Sequence, residues 1–127
     1  MSYSQVAIAD VMRSALAANI NAAYAAVGTP FLHYIRIMYM DNLTNQNVTI
    51  SFDGVNDNFI LPPSGFKTVD FTANEVSSYK GFFPPVNLQV YAKYTSVQPT
   101  TGSLYIQAIF GNPLPGGYNQ WSILFLI

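Results

Sequence analysis

The stretch from Ile35 to Phe71 constrains the fold more than any other, because short strand-like runs follow one another there with turn residues between them. Ile35-Arg36-Ile37-Met38-Tyr39-Met40 leads into Asp41-Asn42-Leu43-Thr44-Asn45-Gln46-Asn47, and Val48-Thr49-Ile50-Ser51-Phe52 leads out again, the signature of a β-hairpin. In the second run Val48, Ile50 and Phe52 share one face while Thr49, Ser51 and Asp53 share the other, so the pattern predicts a strand with a single buried side. Asp53-Gly54 turns the chain, Phe59-Ile60-Leu61 starts a third run, Pro62-Pro63-Ser64-Gly65 turns it again, and Phe66 to Phe71 forms a fourth. Further on, Leu88, Val90 and Ala92 alternate with Gln89, Tyr91 and Lys93, and Leu104, Ile106, Ala108 and Phe110 alternate with Ser103, Tyr105, Gln107 and Ile109. These runs specify an all-β fold, an antiparallel β-sandwich, and they carry no catalytic motif.

The surface of such a sandwich is normally charged, and here it has little to be charged with. Only 9% of the 127 residues are Asp, Glu, Lys or Arg, against roughly 25% in an ordinary soluble domain, while 50% are hydrophobic. Much of the surface must therefore be neutral, which predicts burial against other copies or partners. A net charge of −1 with scattered cations, Arg13, Arg36, Lys67, Lys80 and Lys93, gives no basis for binding nucleic acid. The absence of cysteine excludes a disulfide scaffold, a thiolate zinc site and a cysteine nucleophile. No basic region followed by an apolar core marks a secretory signal, and no apolar run reaches the roughly 20 residues of a membrane span.

The sandwich is expected at residues 28–111, between an N-terminal arm at 1–27 and an extension or last strand at 112–127. In the arm, Ala-rich composition favours a helix near Ser4 to Ala18, whereas Ala18-Asn19-Ile20-Asn21 alternates like a strand, so the arm reads as a short helix or a strand docked against protein. Phe31 to Met40 carries large residues on both faces, as a strand covered on both sides does. Thr72 to Tyr79 reads as a crossing between sheets, and Pro84-Pro85 belongs at a strand start or sheet edge. Pro113-Leu114-Pro115-Gly116-Gly117 breaks the chain before Tyr118 to Ile127, a β-prone apolar run suited either to the protein's own sandwich or to a strand added to a neighbour.

Three features invite chemistry, and each has a structural explanation. His33, the sole histidine, lies near no carboxylate or hydroxyl in a nucleophile or metal pattern and reads as a satisfied histidine at a strand edge. Asp53-Gly54-Val55-Asn56-Asp57-Asn58 is rich in oxygen ligands but lacks the EF-hand spacing and its closing Glu, so turn chemistry accounts for it without a metal. The sequons Asn42-Leu43-Thr44 and Asn47-Val48-Thr49 flank a turn in a chain without an export signal and read as chance.

Several segments together carry a family resemblance. Tyr24 to Pro30 with His33 and Arg36-Ile37, Asn42 to Gln46, and Ser51 to Asp57 resemble small virion proteins of tailed bacteriophages. So do Leu61-Pro62, Gly65-Phe66, Asp70, Gly81-Phe82-Phe83, Gln89 to Lys93 and Thr101 to Tyr105, a similarity covering about residues 20 to 111. The resemblance implies a jelly-roll or related sandwich that decorates or cements a capsid, or that joins neck and tail. It also implies a protein made in the host cytoplasm and resident in the virion, a homo-oligomer partnered by the major capsid protein or neighbouring virion proteins, without enzymatic activity, cofactor, nucleic acid or membrane. The residues expected in subunit contacts are Val6, Val11 and Leu16 in the arm and Tyr118, Trp121, Ile123, Phe125 and Ile127 at the C-terminus. The competing readings are a fibre-attachment component and a glycan-binding module for host attachment, the latter because Tyr91, Tyr94 and Tyr105 are expected to face outward.

Overall fold

The computed structural model describes residues 5–71 and 86–113 as two antiparallel sheets packed face to face. The expected crossing at Thr72 to Tyr79, the Pro84-Pro85 pair and the run from Tyr118 to Ile127 lie outside the described residues. The strands are β1 (Gln5–Ala9), β2 (Arg13–Leu16), β3 (Ala25–Ala26), β4 (Ile35–Asn42), β5 (Val48–Ser51), β6 (Phe59–Leu61), β7 (Phe66–Asp70), β8 (Tyr91–Tyr94) and β9 (Ser103–Pro113). In the first sheet β9 lies between β4 and the N-terminal pair β1 and β2, and β4 continues to β7. The second sheet runs in the order β3, β8, β5, β6.

The core fills the space between the sheets. Met38 and Met40 of β4 and Leu104, Ile106 and Ala108 of β9 point inward from the first sheet, meeting Val48 and Ile50 of β5 and Val90 and Ala92 from the second. The period-two alternation of β8 and β9 is therefore the alternation of the sandwich itself.

The stretch from Ile35 to Phe52 does not form the expected hairpin. β4 belongs to the first sheet, flanked by β9 and β7, and β5 to the second, flanked by β8 and β6, so residues 43–47 carry the chain across the sandwich. Pro62 to Gly65 carries it back, and the hairpin of this region is β5–β6, with Val48 opposite Leu61 and Ile50 opposite Phe59. The two crossings are tied by Asn42, whose side chain is fully buried. Its Nδ2 donates to the carbonyls of Gln46 at 2.9 Å, Leu61 at 2.8 Å and Pro62 at 3.2 Å. Its Oδ1 accepts from Thr44 N–H at 3.0 Å and Thr44 Oγ1 at 2.6 Å. A residue whose amide is engaged in this way offers nothing to glycosylation.

Nor is β5 buried on one side only. Thr49 and Ser51 are 2% and 0% exposed. β5 is an inner strand of its sheet, and its outer face is covered: Thr49 Oγ1 lies 2.9 Å from Thr95 Oγ1, and Ser51 Oγ bonds the loop that follows, accepting from the N–H groups of Asp53 and Gly54.

At the N-terminus strand pairing overrides helix propensity. β1 pairs with Ile109 to Pro113 and β2 with Ser103 to Ile106 of β9, and among the described residues the only helical turn there is a 3₁₀ segment, Ala17–Asn19. Arg13 anchors this edge from inside. It is buried, donating from Nε to Thr29 O at 3.1 Å and from Nη2 to Pro30 O at 2.9 Å, with its guanidinium 4.1 Å from the centre of the Phe31 ring.

Asn42→Ala removes the donor of several buried carbonyls at once, and we expect it to lower the unfolding free energy by about 3–5 kcal/mol, read from the urea midpoint at unchanged slope. Gly102→Ala should be worse: at φ +83°, a Cβ there would lie 1.9 Å from Leu43 O, so little folded protein is expected by circular dichroism.

Candidate interaction surface

Three parts of the surface stand out, and they differ in how completely their polar groups are satisfied. The loop Asp53 to Asn58 is closed on itself. Asp53 Oδ1 accepts from the N–H groups of Val55 at 2.9 Å and Asn56 at 2.8 Å and from Ser51 Oγ at 2.8 Å, and Oδ2 accepts from Asn56 Nδ2 at 2.6 Å. The backbone N–H of Asn56, then that of Val55, hold this carboxyl far below the usual carboxylate range. Its oxygens serve the turn, as the composition predicts, and among the described residues no group of three or more His, Cys, Asp or Glu is placed to hold a metal.

Beside this loop, Tyr24 donates its hydroxyl to Asp57 Oδ1, and Lys93 Nζ lies 3.5 Å from the same oxygen and 4.7 Å from the centre of the Tyr24 ring. The cluster straps the loop to β8. Partial burial, followed by the hydrogen bond to Asp57, pushes the Tyr24 phenol well above its ordinary value, and the bond from Tyr24 lowers the Asp57 carboxyl. The signs oppose each other along the pH axis. Tyr24 contributes stability that is present below its ordinary pKa of about 10 and lost as pH rises through the folded value, while Asp57 contributes stability present above about 3.9 and lost as pH falls through its lowered value. His33 stands apart from both, with its ring stacked on Phe110 at 3.8 Å and 7°.

The N-terminal edge is the second part. The predicted contact residues Val6, Val11 and Leu16 are 41%, 77% and 62% exposed, joined by Met12 at 49%. β1 and β2 run along β9 with a break at Asp10 to Met12 between them, so these side chains line one edge of the first sheet. The charges there face each other, Arg13 Nη1 lying 3.1 Å from Asp10 Oδ1. The other five predicted residues, Tyr118, Trp121, Ile123, Phe125 and Ile127, lie outside the described residues.

The third part, which the sequence alone did not single out, is the outer face of the first sheet. In register, Tyr39 lies opposite Gln107 and Asp41 opposite Tyr105, so two aromatic and two polar side chains alternate over two strands. With Met12 and Leu43 they line a depression of about 260 Å³. The alternation of Tyr105 and Gln107 on β9 was the legible signal; Phe31 to Met40 read as covered on both sides, whereas Tyr39 is 39% exposed, and the adjacency of the two strands was not legible. Among the described residues no helix is long and apolar enough to cross a membrane.

No protein-family model matches the chain, and neither a curated protein nor a solved structure matches it.

Tyr24→Phe should return the Asp57 carboxyl toward the ordinary carboxylate value in a ¹³C-detected titration, and should remove a late-ionising tyrosine from the alkaline absorbance titration. An unchanged Asp57 would mean that Lys93 alone sets its charge.

Proposed function

We propose that this chain is a non-enzymatic structural protein of a bacteriophage virion, a decoration or cement protein that stabilises the capsid through contacts between its β-sandwich and neighbouring copies or capsid subunits. The observation that carries the reading is the N-terminal edge: Val6, Val11, Met12 and Leu16 present apolar side chains to solvent on a chain with very few charges. Exposed apolar side chains grouped along one edge are what an assembling subunit covers. The resemblance of residues 20–111 to small virion proteins supplies the setting, and the capsid surface is preferred to the neck or tail because decoration needs only such lateral contacts.

Light scattering over a concentration series tests the assembly step. The native chain is expected to be a stable oligomer, and the double variant Val11→Asp, Leu16→Asp to be at least roughly a hundredfold weaker in association, since each side chain contributes about 1.5–3 kcal/mol when buried. Both positions are exposed, so the unfolding midpoint should hold. A native chain that stays monomeric and does not sediment with phage capsids would overturn the reading.

A further inference from the structure

We propose that the depression on the outer face of the first sheet is a saccharide-binding site, one that takes a neutral or amino sugar. Its geometry comes from register. Tyr39 faces Gln107 and Asp41 faces Tyr105 across the β4–β9 pair, which sets the two rings on one diagonal and the carboxylate and amide on the other. A sugar ring has the matching duality. Its axial C–H face packs on an aromatic plane, whose negative π cloud attracts the slightly positive hydrogens, and its hydroxyls project at the rim as donors and acceptors.

The polar diagonal is what distinguishes this site from a protein interface. Among the described residues, neither the Asp41 carboxylate nor the Gln107 amide forms a hydrogen bond or an ion pair, in contrast to Asp53 and Asp57 on the other sheet. An apolar partner pressed onto this face would strand both groups without water, whereas sugar hydroxyls would satisfy both. The concavity agrees: at about 260 Å³ it lies just under the roughly 300–1,000 Å³ of drug-sized sites, room for one or two sugar rings with a longer chain continuing along β9. Charge narrows the class further. Asp41 is the only residue of the lining that carries a charge at neutral pH, so acidic sugars are repelled and neutral hexoses or a glucosamine are accepted.

The site is separate from the N-terminal edge except at Met12, so a virion protein docked by that edge would present the depression outward. The proposal does not depend on that docking.

Amide shift mapping of the full chain against maltohexaose, cellohexaose and chitosan hexamer tests it. At least one oligomer is expected to shift the amides around Tyr39, Asp41, Tyr105 and Gln107 with a dissociation constant near or below about 1 mM, while polygalacturonate binds at least roughly tenfold more weakly at low salt. Tyr105→Ala and, as the gentler change at an exposed position, Gln107→Ala should each weaken binding roughly tenfold. The proposal is overturned by the absence of shifts with all the oligomers at about 10 mM, by shifts confined to other surfaces, or by unchanged binding in both variants. It is equally overturned if Gln107→Ala dissociates an oligomer of the native chain, since a second copy would then be the occupant of this face.

Discussion

The sandwich is held in its topology by one buried amide. Asn42 sits where β4 ends, and its side chain donates to carbonyls on both segments that cross between the sheets. The backbone repeats the tie: Asn42 N–H donates to Gly65 O at 2.9 Å and Ser64 N–H to Asn42 O at 2.8 Å. A crossing loop leaves carbonyls that no ladder can satisfy, and a buried one must find donors elsewhere. Asparagine supplies two donors and an acceptor on a short stem, where aspartate would present only acceptors to the same carbonyls. A third segment closes on this corner. Asn45 bonds Thr100 through both its Nδ2 and its Oδ1, and Leu43 N–H donates to Ser103 O at 3.0 Å, which brings the start of β9 against the crossing.

Because the corner fixes which strands share a sheet, it also decides how the two outer faces differ. The second sheet covers its own outer face: the Asp53 loop folds back, Gly54 lies against the Tyr91 ring, and Tyr24, Asp57 and Lys93 bind the loop in place. Its polar groups are turned on one another. The first sheet has no such loop over β4 and β9 among the described residues, and its outer face keeps Tyr39, Leu43 and Phe66 in contact with solvent at 39%, 52% and 73% exposure. Over β5 and β8 the outer face of the second sheet is thus internally satisfied, with Ile60 of β6 left 58% exposed, whereas that of the first is open over β4 and β9.

How much of this the chain discloses depends on the range of the interaction. Alternation within a strand is local, and so β8, β9 and their inward residues were legible from Leu88, Val90, Ala92, Leu104, Ile106 and Ala108 alone. Partner choice is not local. Seven polar-to-neutral residues between Met40 and Val48 suit a hairpin loop as well as a crossing, and the difference rests on β9 and β7, which claim both edges of β4. Asn42-Leu43-Thr44 did hold a clue, since an Asn followed two residues later by Thr is a common side-chain turn, but its burial follows only from the assembled loops. The alanines of the N-terminus left helix and strand both open for the same reason: helix propensity is worth tenths of a kilocalorie per residue, and pairing along β9, which decides the matter, outweighs it. Of the proposed saccharide site only an outward Tyr105 was legible, because its four side chains come from strands more than sixty residues apart.

Among the described residues the two edges of the first sheet, β7 and the N-terminal pair, are not equivalent, and the difference bears on which of them could take an added strand. At β7 the sequence Phe66-Lys67-Thr68-Val69-Asp70 places charge along the strand, with Lys67 Nζ 5.1 Å from the centre of the Phe59 ring, a device that discourages strand addition. At the N-terminal edge the charges are internal, Arg13 being buried and paired with Asp10, and apart from Ser14 the exposed side chains from Val6 to Leu16 are apolar. Yet that edge is broken into strands of five and four residues by the irregular segment Asp10 to Met12. A broken edge is a poor template for an added strand, because the hydrogen-bond ladder cannot run through the break. Side-chain contact is what remains, and it has a defined extent. An edge of this kind favours side-chain contact of limited extent over an open-ended sheet.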